Sequence, residues 1–238
     1  MKRYGLIGHP LGHSFSKDYF TEKFRREGLD CEYENYDLPS LRIPKLCGFN
    51  VTIPYKETIL PYLDELDPVA AEVGAVNTVK VLDDGKMIGY NTDVIGVETT
   101  LPYVETPYYD VSTMAIILGT GGASKAVQYV LRKNNIPYKT VSRSKEKGDL
   151  TYQDLTPEII QSHLLIINAT PVGMAPNINE APIIPYEAIT PNHTLFDLIY
   201  NPEETQFLHY GREHGATTIN GLAMLHAQAE ASWNIWNQ

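Results

Sequence analysis

The sequence predicts an α/β protein made of two α/β blocks, the second built on a doubly wound parallel sheet. Three observations carry this prediction. Short apolar runs of strand length alternate with helical patterns along most of the chain, the signature of parallel strands joined by crossover helices. One run, Ala115-Ile116-Ile117-Leu118, ends in Gly119-Thr120-Gly121-Gly122 and leads into a helical pattern with Ala123, Val127, Val130 and Leu131 on one face. A junction near residue 100, where Pro102 to Asp110 holds two prolines and three tyrosines, divides the alternation into two blocks and reads as a linker.

The 238 residues suit one large domain or two small ones, with ample length for a hydrophobic core. Hydrophobic residues make up 43% and charged residues 20%, ordinary for a soluble globular chain. A net charge of -10 argues against nucleic acid and anionic membranes as partners, so an anionic ligand needs a local cluster of cations. Cys31 and Cys47 are too few for a disulfide scaffold and read as reduced thiols, not as a bridge or a metal site. No run approaches the length of a membrane span, and no signal-peptide h-region opens the chain. The default is a soluble cytoplasmic protein.

Along the first block, Tyr4 to Ile7 is a short apolar strand, followed by the turn-rich Gly8-His9-Pro10-Leu11-Gly12-His13. Ser14-Phe15-Ser16 comes next, and its hydroxyls either cap the helix Lys17 to Glu27 or face a ligand. Gly28 ends that helix, and Glu32 to Tyr36 alternates as a second strand. Leu38 to Leu46 holds two prolines and is too short for a good helix. Gly48 to Ile53 is a third strand, after which Pro54-Tyr55-Lys56 opens a helix to about Leu63. A lysine in the first turn opposes the helix dipole, and such local conflicts mark functional positions. Asp67-Pro68 starts a short helix, Gly74 to Val79 is a strand, and Asp83-Asp84-Gly85 turns between Val81 and Met87 as a hairpin. Asp93 sits at the N-cap of a helical pattern through Val94, Val97 and Leu101, so it either caps or takes part in chemistry.

In the second block, strands fall at Tyr138 to Val141, Leu164 to Asn168, Thr194 to Asp197 and Thr217 to Ile219. Helices fall at Glu203 to Glu213, ended by Gly215, and at Leu222 to about Trp236. The glycine turn after Leu118 lets the backbone turn sharply and approach a ligand. Helix N–H groups just beyond it favour a phosphate. This reads as the first turn of a dinucleotide-binding unit, although Ser124 stands where the third glycine of G-x-G-x-x-G/A would fall; the alternative is a plain βα turn. Ser14, Asn50, Thr52, Lys56, Asn77 and Asp93 lie at or just after strand ends in the first block. The glycine turn, Arg143 and Thr170 do so in the second. Ligands of open parallel sheets bind beyond such ends, so a cleft between the blocks is expected to bring the two sets together.

These stretches carry a resemblance. His13-Ser14-Phe15-Ser16, Gly48 to Glu57, Gly74-Ala75-Val76-Asn77-Thr78, Asn91-Thr92-Asp93, Gly119 to Ser124, Asn168 to Met174, Asp197 to Pro202, Asn220-Gly221-Leu222 and Met224 to Gln228 resemble the motifs of the shikimate dehydrogenase family, in its order and over nearly the whole chain. The Asn-Val-Thr-x-Pro-x-Lys stretch at Asn50 to Lys56 is the most specific of them. The resemblance implies reversible NADP-linked oxidation of shikimate at its C3 hydroxyl to 3-dehydroshikimate, a step of the shikimate pathway toward aromatic amino acids. It implies a substrate-binding catalytic domain over residues 1–93 and 222–238, and a Rossmann-like NADP domain over residues 94–221. Lys56 and Asp93 match the family's catalytic pair. Ser14 and Ser16 match its carboxylate ligands with Tyr200 nearby, Thr52, Lys56, Asn77, Asp93 and Gln228 match positions lining the ring, and Asn50 counts among the substrate-binding positions. Gly119, Thr120, Gly121, Gly122, Ala123, Ser142, Arg143, Ser144, Lys147, Thr170, Leu198 and Gly221 match the cofactor positions. Metal is not implied, and monomer and homodimer both stay open.

The residue chemistry agrees with that implication. Shikimate is a small anion with three hydroxyls, and Ser14, Ser16, Thr52, Asn77 and Gln228 supply hydroxyl and amide groups. Alcohol oxidation must move a proton from the oxygen as hydride leaves the carbon, and a positioned lysine beside an aspartate can do this. Whether the two work as an acid–base dyad or Asp93 chiefly orients the lysine stays open. An NAD site usually carries an acid at the end of the second strand; here that strand ends in Ser142-Arg143-Ser144-Lys145-Glu146-Lys147, whose cations suit a 2′-phosphate.

Three departures from the family pattern stand out. Lys17 occupies a position where proline commonly follows the second serine, Ser142 replaces the usual asparagine before Arg143, and Leu38 to Gly48 is short. Among competing readings, a quinate/shikimate dehydrogenase shares Lys56 and Asp93, and Ser16 favours shikimate over quinate. An inactive cofactor-binding regulator conflicts with the intact pair. Methylenetetrahydrofolate dehydrogenase has a related plan, but its lysine motif does not match the stretch around Lys56.

Overall fold

Buried from Tyr4 to Gly8, strand β1 (Lys2–Gly8) is an interior strand of the first of two units, paired on both sides. The structure, a computed structural model, describes residues 1–12, 14–101 and 114–238. His13 and the linker placed at Pro102 to Asp110 lie outside the described residues. Unit one comprises Met1–Asp93 and Gln228–Gln238, and unit two comprises Val94–Ala227.

In unit one, β1 leads through α1 (Phe15–Glu27) to β2 (Cys31–Asp37), which pairs parallel to it. The chain crosses back so that β3 (Gly48–Val51) pairs parallel on the other side of β1. Then α2 (Tyr55–Thr58), β4 (Glu65–Leu66), α3 (Pro68–Val73), β5 (Thr78–Val81) and β6 (Met87–Tyr90) complete a sheet of order β2-β1-β3-β5-β6-β4. This sheet is mixed, not parallel throughout: β5 runs antiparallel to both β3 and β6. The expected hairpin turn at Asp83–Gly85 accounts for the β5–β6 pair, because two directly joined strands of one sheet must reverse direction.

Further differences have local causes. The helix expected from Pro54 to Leu63 stops at Thr58 and resumes only as a 3-10 turn over Leu60–Tyr62. Pro61 lacks an N–H and disfavours helical geometry at Leu60. The strand expected from Gly74 begins only at Thr78, because Gly74 adopts φ 68 to close α3 and donates its N–H to Ala70. Residues 38–47 form no helix or strand, and Leu38, Leu41, Ile43 and Leu46 pack against the core around Phe49 and Val51.

The opposite face of this sheet holds an aromatic core. Phe20 and Phe24 from α1 meet Tyr4, Tyr33 and Trp236, and the Phe20 and Tyr33 rings stack at 4.7 Å. Trp236 donates its indole N–H to the Val79 carbonyl at 2.9 Å. A Cβ on Gly48 would lie 2.5 Å from the Trp236 ring, so only glycine lets this part of the C-terminal helix seat. Truncating Phe20 to alanine would cost about 3–5 kcal/mol.

Unit two holds α4 (its residues from Val94 onward; the helix spans Asp93–Thr100), β7 (Ala115–Leu118), α5 (Gly122–Lys133), β8 (Tyr138–Ser142), β9 (Leu150–Thr151), α6 (Pro157–Ser162), β10 (Leu165–Asn168), β11 (Thr194–Asp197), α7 (Gln206–Glu213), β12 (Thr217–Ile219) and the start of α8 (Leu222–Asn237). Its sheet runs β12-β11-β10-β7-β8-β9, every pair parallel. This is the doubly wound order, with the reversal at β7 between β8 and β10. Ile116, Ile117, Leu165, Ile166 and Leu195 fill its interior. Helix α7 begins at Gln206, not Glu203, because Thr205 caps it by accepting the Leu208 N–H. Pro157 and the Thr156 cap define α6, which lacks the apolar period of a longer helix.

Candidate active site

The mixed sheet of unit one gathers the candidate residues along one edge. The segments after β1 and β3 leave neighbouring parallel strands at their carboxyl ends and carry Ser14, Thr52 and, in the first turn of α2, Lys56. Because β5 is antiparallel to β3, its beginning lies at that same edge, and the Val51 N–H donates to the Asn77 carbonyl at 2.8 Å. β6 reverses again, so its end delivers Asn91, Thr92 and Asp93 there as well. An all-parallel sheet would have put Asn77 and Asp93 at opposite edges.

Lys56 Nζ donates to Asp93 Oδ2 at 2.5 Å, with both side chains largely buried at 15% and 7% exposure. Asn77 Nδ2 donates to the other oxygen, Asp93 Oδ1, at 2.8 Å. Asn77 is held in turn by the Thr92 backbone N–H, which donates to its Oδ1 at 2.7 Å. Asn77 Nδ2 also reaches Gln228 Oε1 at 3.4 Å, bringing the C-terminal helix into the group. Asp93 therefore spends its carboxylate on Lys56 and Asn77 at the head of α4.

Behind these residues lies a buried polar network that the sequence reading did not identify. Asn50 Nδ2 donates to Thr78 Oγ1 at 3.0 Å and Ser232 Oγ at 2.9 Å, and Tyr33 donates its hydroxyl to Asn50 Oδ1 at 2.8 Å. Thr78 and Ser232 hydroxyls lie 2.8 Å apart, and Ser232 donates to the Gln228 carbonyl at 2.9 Å. Every partner of Asn50 here belongs to the protein interior. Burial pushes the Tyr33 hydroxyl far above its ordinary pKa and keeps it a neutral donor. Nothing in the pattern of Thr78 or Ser232 signals this, since isolated hydroxyls on strands and helices have many roles.

The two serines divide. Ser16 is buried and hydrogen-bonds to the Tyr33 hydroxyl. Ser14 precedes α1 in extended geometry and makes no side-chain cap bond, so capping does not account for it. Its Oγ is buried without a hydrogen-bond partner among the described residues. Such an atom costs about 1–3 kcal/mol unless a ligand meets it. Thr52 is half-buried, and its N–H donates to the Ile7 carbonyl at 2.9 Å.

In unit two, the glycine turn follows β7 at the switch point. Gly119 takes φ 103, and a Cβ there would lie 2.9 Å from Thr170 Cγ2. Gly121 is the N-cap of α5, and a Cβ on it would meet nothing within 4 Å. The bare backbone at Gly121 and the first-turn N–H groups of Gly122 and Ala123 thus offer donors suited to a pyrophosphate. After β8, Ser142 Oγ accepts the Ser144 N–H at 3.3 Å. Arg143 and Lys147 are exposed. Glu146 accepts from the Ser144 hydroxyl at 2.9 Å. After β10 and β11 stand Thr170, Leu198 and Tyr200, all half-buried. A Cβ on Gly221 would fall 2.2 Å from the Leu198 carbonyl oxygen, so the two segments touch through backbone alone.

No helix of the described residues is long and apolar enough to cross a membrane, and no group of three His, Cys, Asp or Glu among them could hold a metal ion. Residues 6–79 match the family model for the shikimate dehydrogenase substrate binding domain. A shikimate dehydrogenase (NADP(+)) of Methanocaldococcus jannaschii is 40% identical, covering 98% of this chain and 90% of its own. A relative of the same name from Methanococcus maripaludis is 39% identical, covering 99% and 91%. The crystal structure of shikimate 5-dehydrogenase from Thermus thermophilus, in complex with NADP(H) and shikimate, superposes with a TM-score of 0.86 at 30% identity over 99% of this chain and 93% of that one. With one Rossmann-like unit, one mixed α/β unit and relatives this similar from end to end, the chain belongs to the shikimate dehydrogenase family.

Proposed function

We propose that the protein oxidises shikimate at its C3 hydroxyl to 3-dehydroshikimate, reversibly, with NADP. The observation that carries this reading is the Lys56–Asp93 pair, held at 2.5 Å and fixed from behind by Asn77. An ammonium offers three N–H bonds, so one to Asp93 leaves others for a substrate oxygen. In the reduction direction Lys56 Nζ gives a proton to the C3 oxygen, and in oxidation it takes the proton back. Asp93 keeps the lysine aimed and balances its charge. Ser14 Oγ, buried without a partner among the described residues, receives the substrate carboxylate together with Ser16. Thr52, Asn77 and Gln228 face the ring hydroxyls, and Asn50 serves them from the network behind.

NADP, when bound, accepts or returns the hydride. Gly119 to Ala123 would hold its pyrophosphate, and Ser142, Arg143, Ser144 and Lys147 its 2′-phosphate. A guanidinium pairs with a phosphate through two parallel N–H bonds, while an ammonium adds charge without that fork. Initial rates with shikimate and with quinate, each with NADP and NAD, test the assignment. The reading predicts the highest kcat/KM for shikimate with NADP; turnover of quinate with NAD above it would replace this function with its quinate-oxidising alternative, and no turnover would support an inactive regulator.

A further inference from the structure

Asp197 ends β11 fully buried, yet the proton chemistry above does not use it. Its Oδ1 accepts from Asn168 Nδ2 at 3.1 Å and from the Ile199 N–H at 3.0 Å, and its Oδ2 accepts from Thr205 Oγ1 at 2.6 Å. All three partners donate, so the pocket is built for an acceptor-only carboxylate. The Thr205 hydroxyl itself receives the Leu208 N–H at 3.4 Å, which fixes its own hydrogen toward Asp197. Asn168 is set just as firmly. Its Oδ1 accepts from the Thr170 hydroxyl at 2.6 Å and the Thr170 N–H at 3.1 Å. The Asn168 carbonyl accepts the Leu198 N–H at 3.0 Å, and the Gly221 N–H donates to the Ile199 carbonyl at 2.9 Å.

These bonds make one block of the loops after β10 and β11, with Asp197 at its centre. The block lies on the side of β7 away from β8. In a doubly wound sheet the two halves take the two mononucleotides. With the 2′-phosphate assigned to Arg143 after β8, the half beyond β10 takes the nicotinamide mononucleotide. We infer that Asp197 is the positioning residue for that mononucleotide: its carboxylate, through Asn168 and Thr205, fixes the loops that carry Thr170 and Leu198. The inference rests on the NADP reading proposed above.

The test uses 2′,5′-ADP, which carries the phosphate-bearing adenosine but lacks the nicotinamide mononucleotide. Binding of 2′,5′-ADP and of NADP+ is measured by calorimetry on wild type, Asp197→Asn, Thr205→Val and Thr205→Ser, with kcat for shikimate alongside. An asparagine at 197 turns an amide N–H toward a donor, and a valine at 205 removes the hydroxyl that Asp197 accepts from. Both variants are expected to bind 2′,5′-ADP as wild type does, to bind NADP+ roughly tenfold more weakly, and to lose kcat by a similar factor, as for one misplaced hydrogen-bonding group. Thr205→Ser, which keeps the hydroxyl, should restore both values. Should Asp197→Asn fail to fold, Thr205→Val carries the test alone. Equal weakening of both ligands, or no change in NADP+ affinity, overturns the positioning role. A wild type that binds neither ligand overturns the NADP reading itself, and this inference with it.

Discussion

Lys56 and Asp93, 37 positions apart in sequence, meet at 2.5 Å, and Asn77 clamps the aspartate oxygen that the lysine leaves over. The lysine is thus aimed from one side only, by a carboxylate that cannot swing away. Lys56→Ala and Asp93→Asn should each lower kcat by roughly 10²-fold or more while shikimate still binds. Steady-state rates with calorimetric binding check this. A variant that keeps near wild-type kcat would show its residue to be structural.

Ser14 and Ser16 should behave differently from one another. Ser14→Ala removes a hydroxyl that makes no bond among the described residues, so Tm should hold while KM for shikimate rises. The loss of one hydrogen bond to a carboxylate is worth about 1.5–3 kcal/mol. Ser16→Ala also breaks a bond to buried Tyr33, so it should raise KM and lower Tm together. An unchanged KM in both variants would leave the carboxylate to other groups.

Much of this site was legible from residue order. The glycine turn and the central parallel strands of unit two follow from apolar runs with nearby punctuation, because β7, β10 and β11 are buried throughout. Lys56 stood out by opposing the helix dipole, and its partner explains the conflict. Less visible was that β5, not β6, pairs with β3, which brings Asn77 and Asp93 to one edge; the hairpin at Asp83–Gly85 sets β5 against β6, but which of them lies beside β3 depends on pairing across the sheet, and local patterns do not encode it. Pro61, in plain view in the sequence, breaks the helix expected to run to Leu63. The network of Tyr33, Asn50, Thr78 and Ser232 joins three strands and the last helix, so no local pattern reveals it.

Cofactor preference should reside in the loop after β8. Arg143 and Lys147 are exposed, and the neighbouring acid, Glu146, accepts from the Ser144 hydroxyl. NADP should be used in clear preference to NAD, mostly through KM. Arg143→Ala combined with Lys147→Ala should erase that preference and leave turnover with NAD almost unchanged. Continued discrimination by the double variant would place phosphate recognition elsewhere.

Asp197 should also leave a pH signature on stability. Burial raises its carboxyl from 3.8 to about 6, against the three hydrogen bonds that hold it down. Between those values the folded protein binds more protons here than the unfolded chain does. Stability from this group is therefore fully present below pH ~3.8 and lost as pH rises through about 6. Asparagine does not titrate, so the unfolding free energy of wild type minus that of Asp197→Asn isolates the effect. Carboxylates that act oppositely, such as Asp149 held low by Thr140, cancel in that difference. From pH 3.5 to 7 the difference should fall by about 3 kcal/mol, two pKa units at 1.36 kcal/mol each. Urea unfolding of both proteins at each pH measures it. A difference that stays flat or rises would mean that the three donors outweigh burial and that Asp197 ionises with ordinary ease.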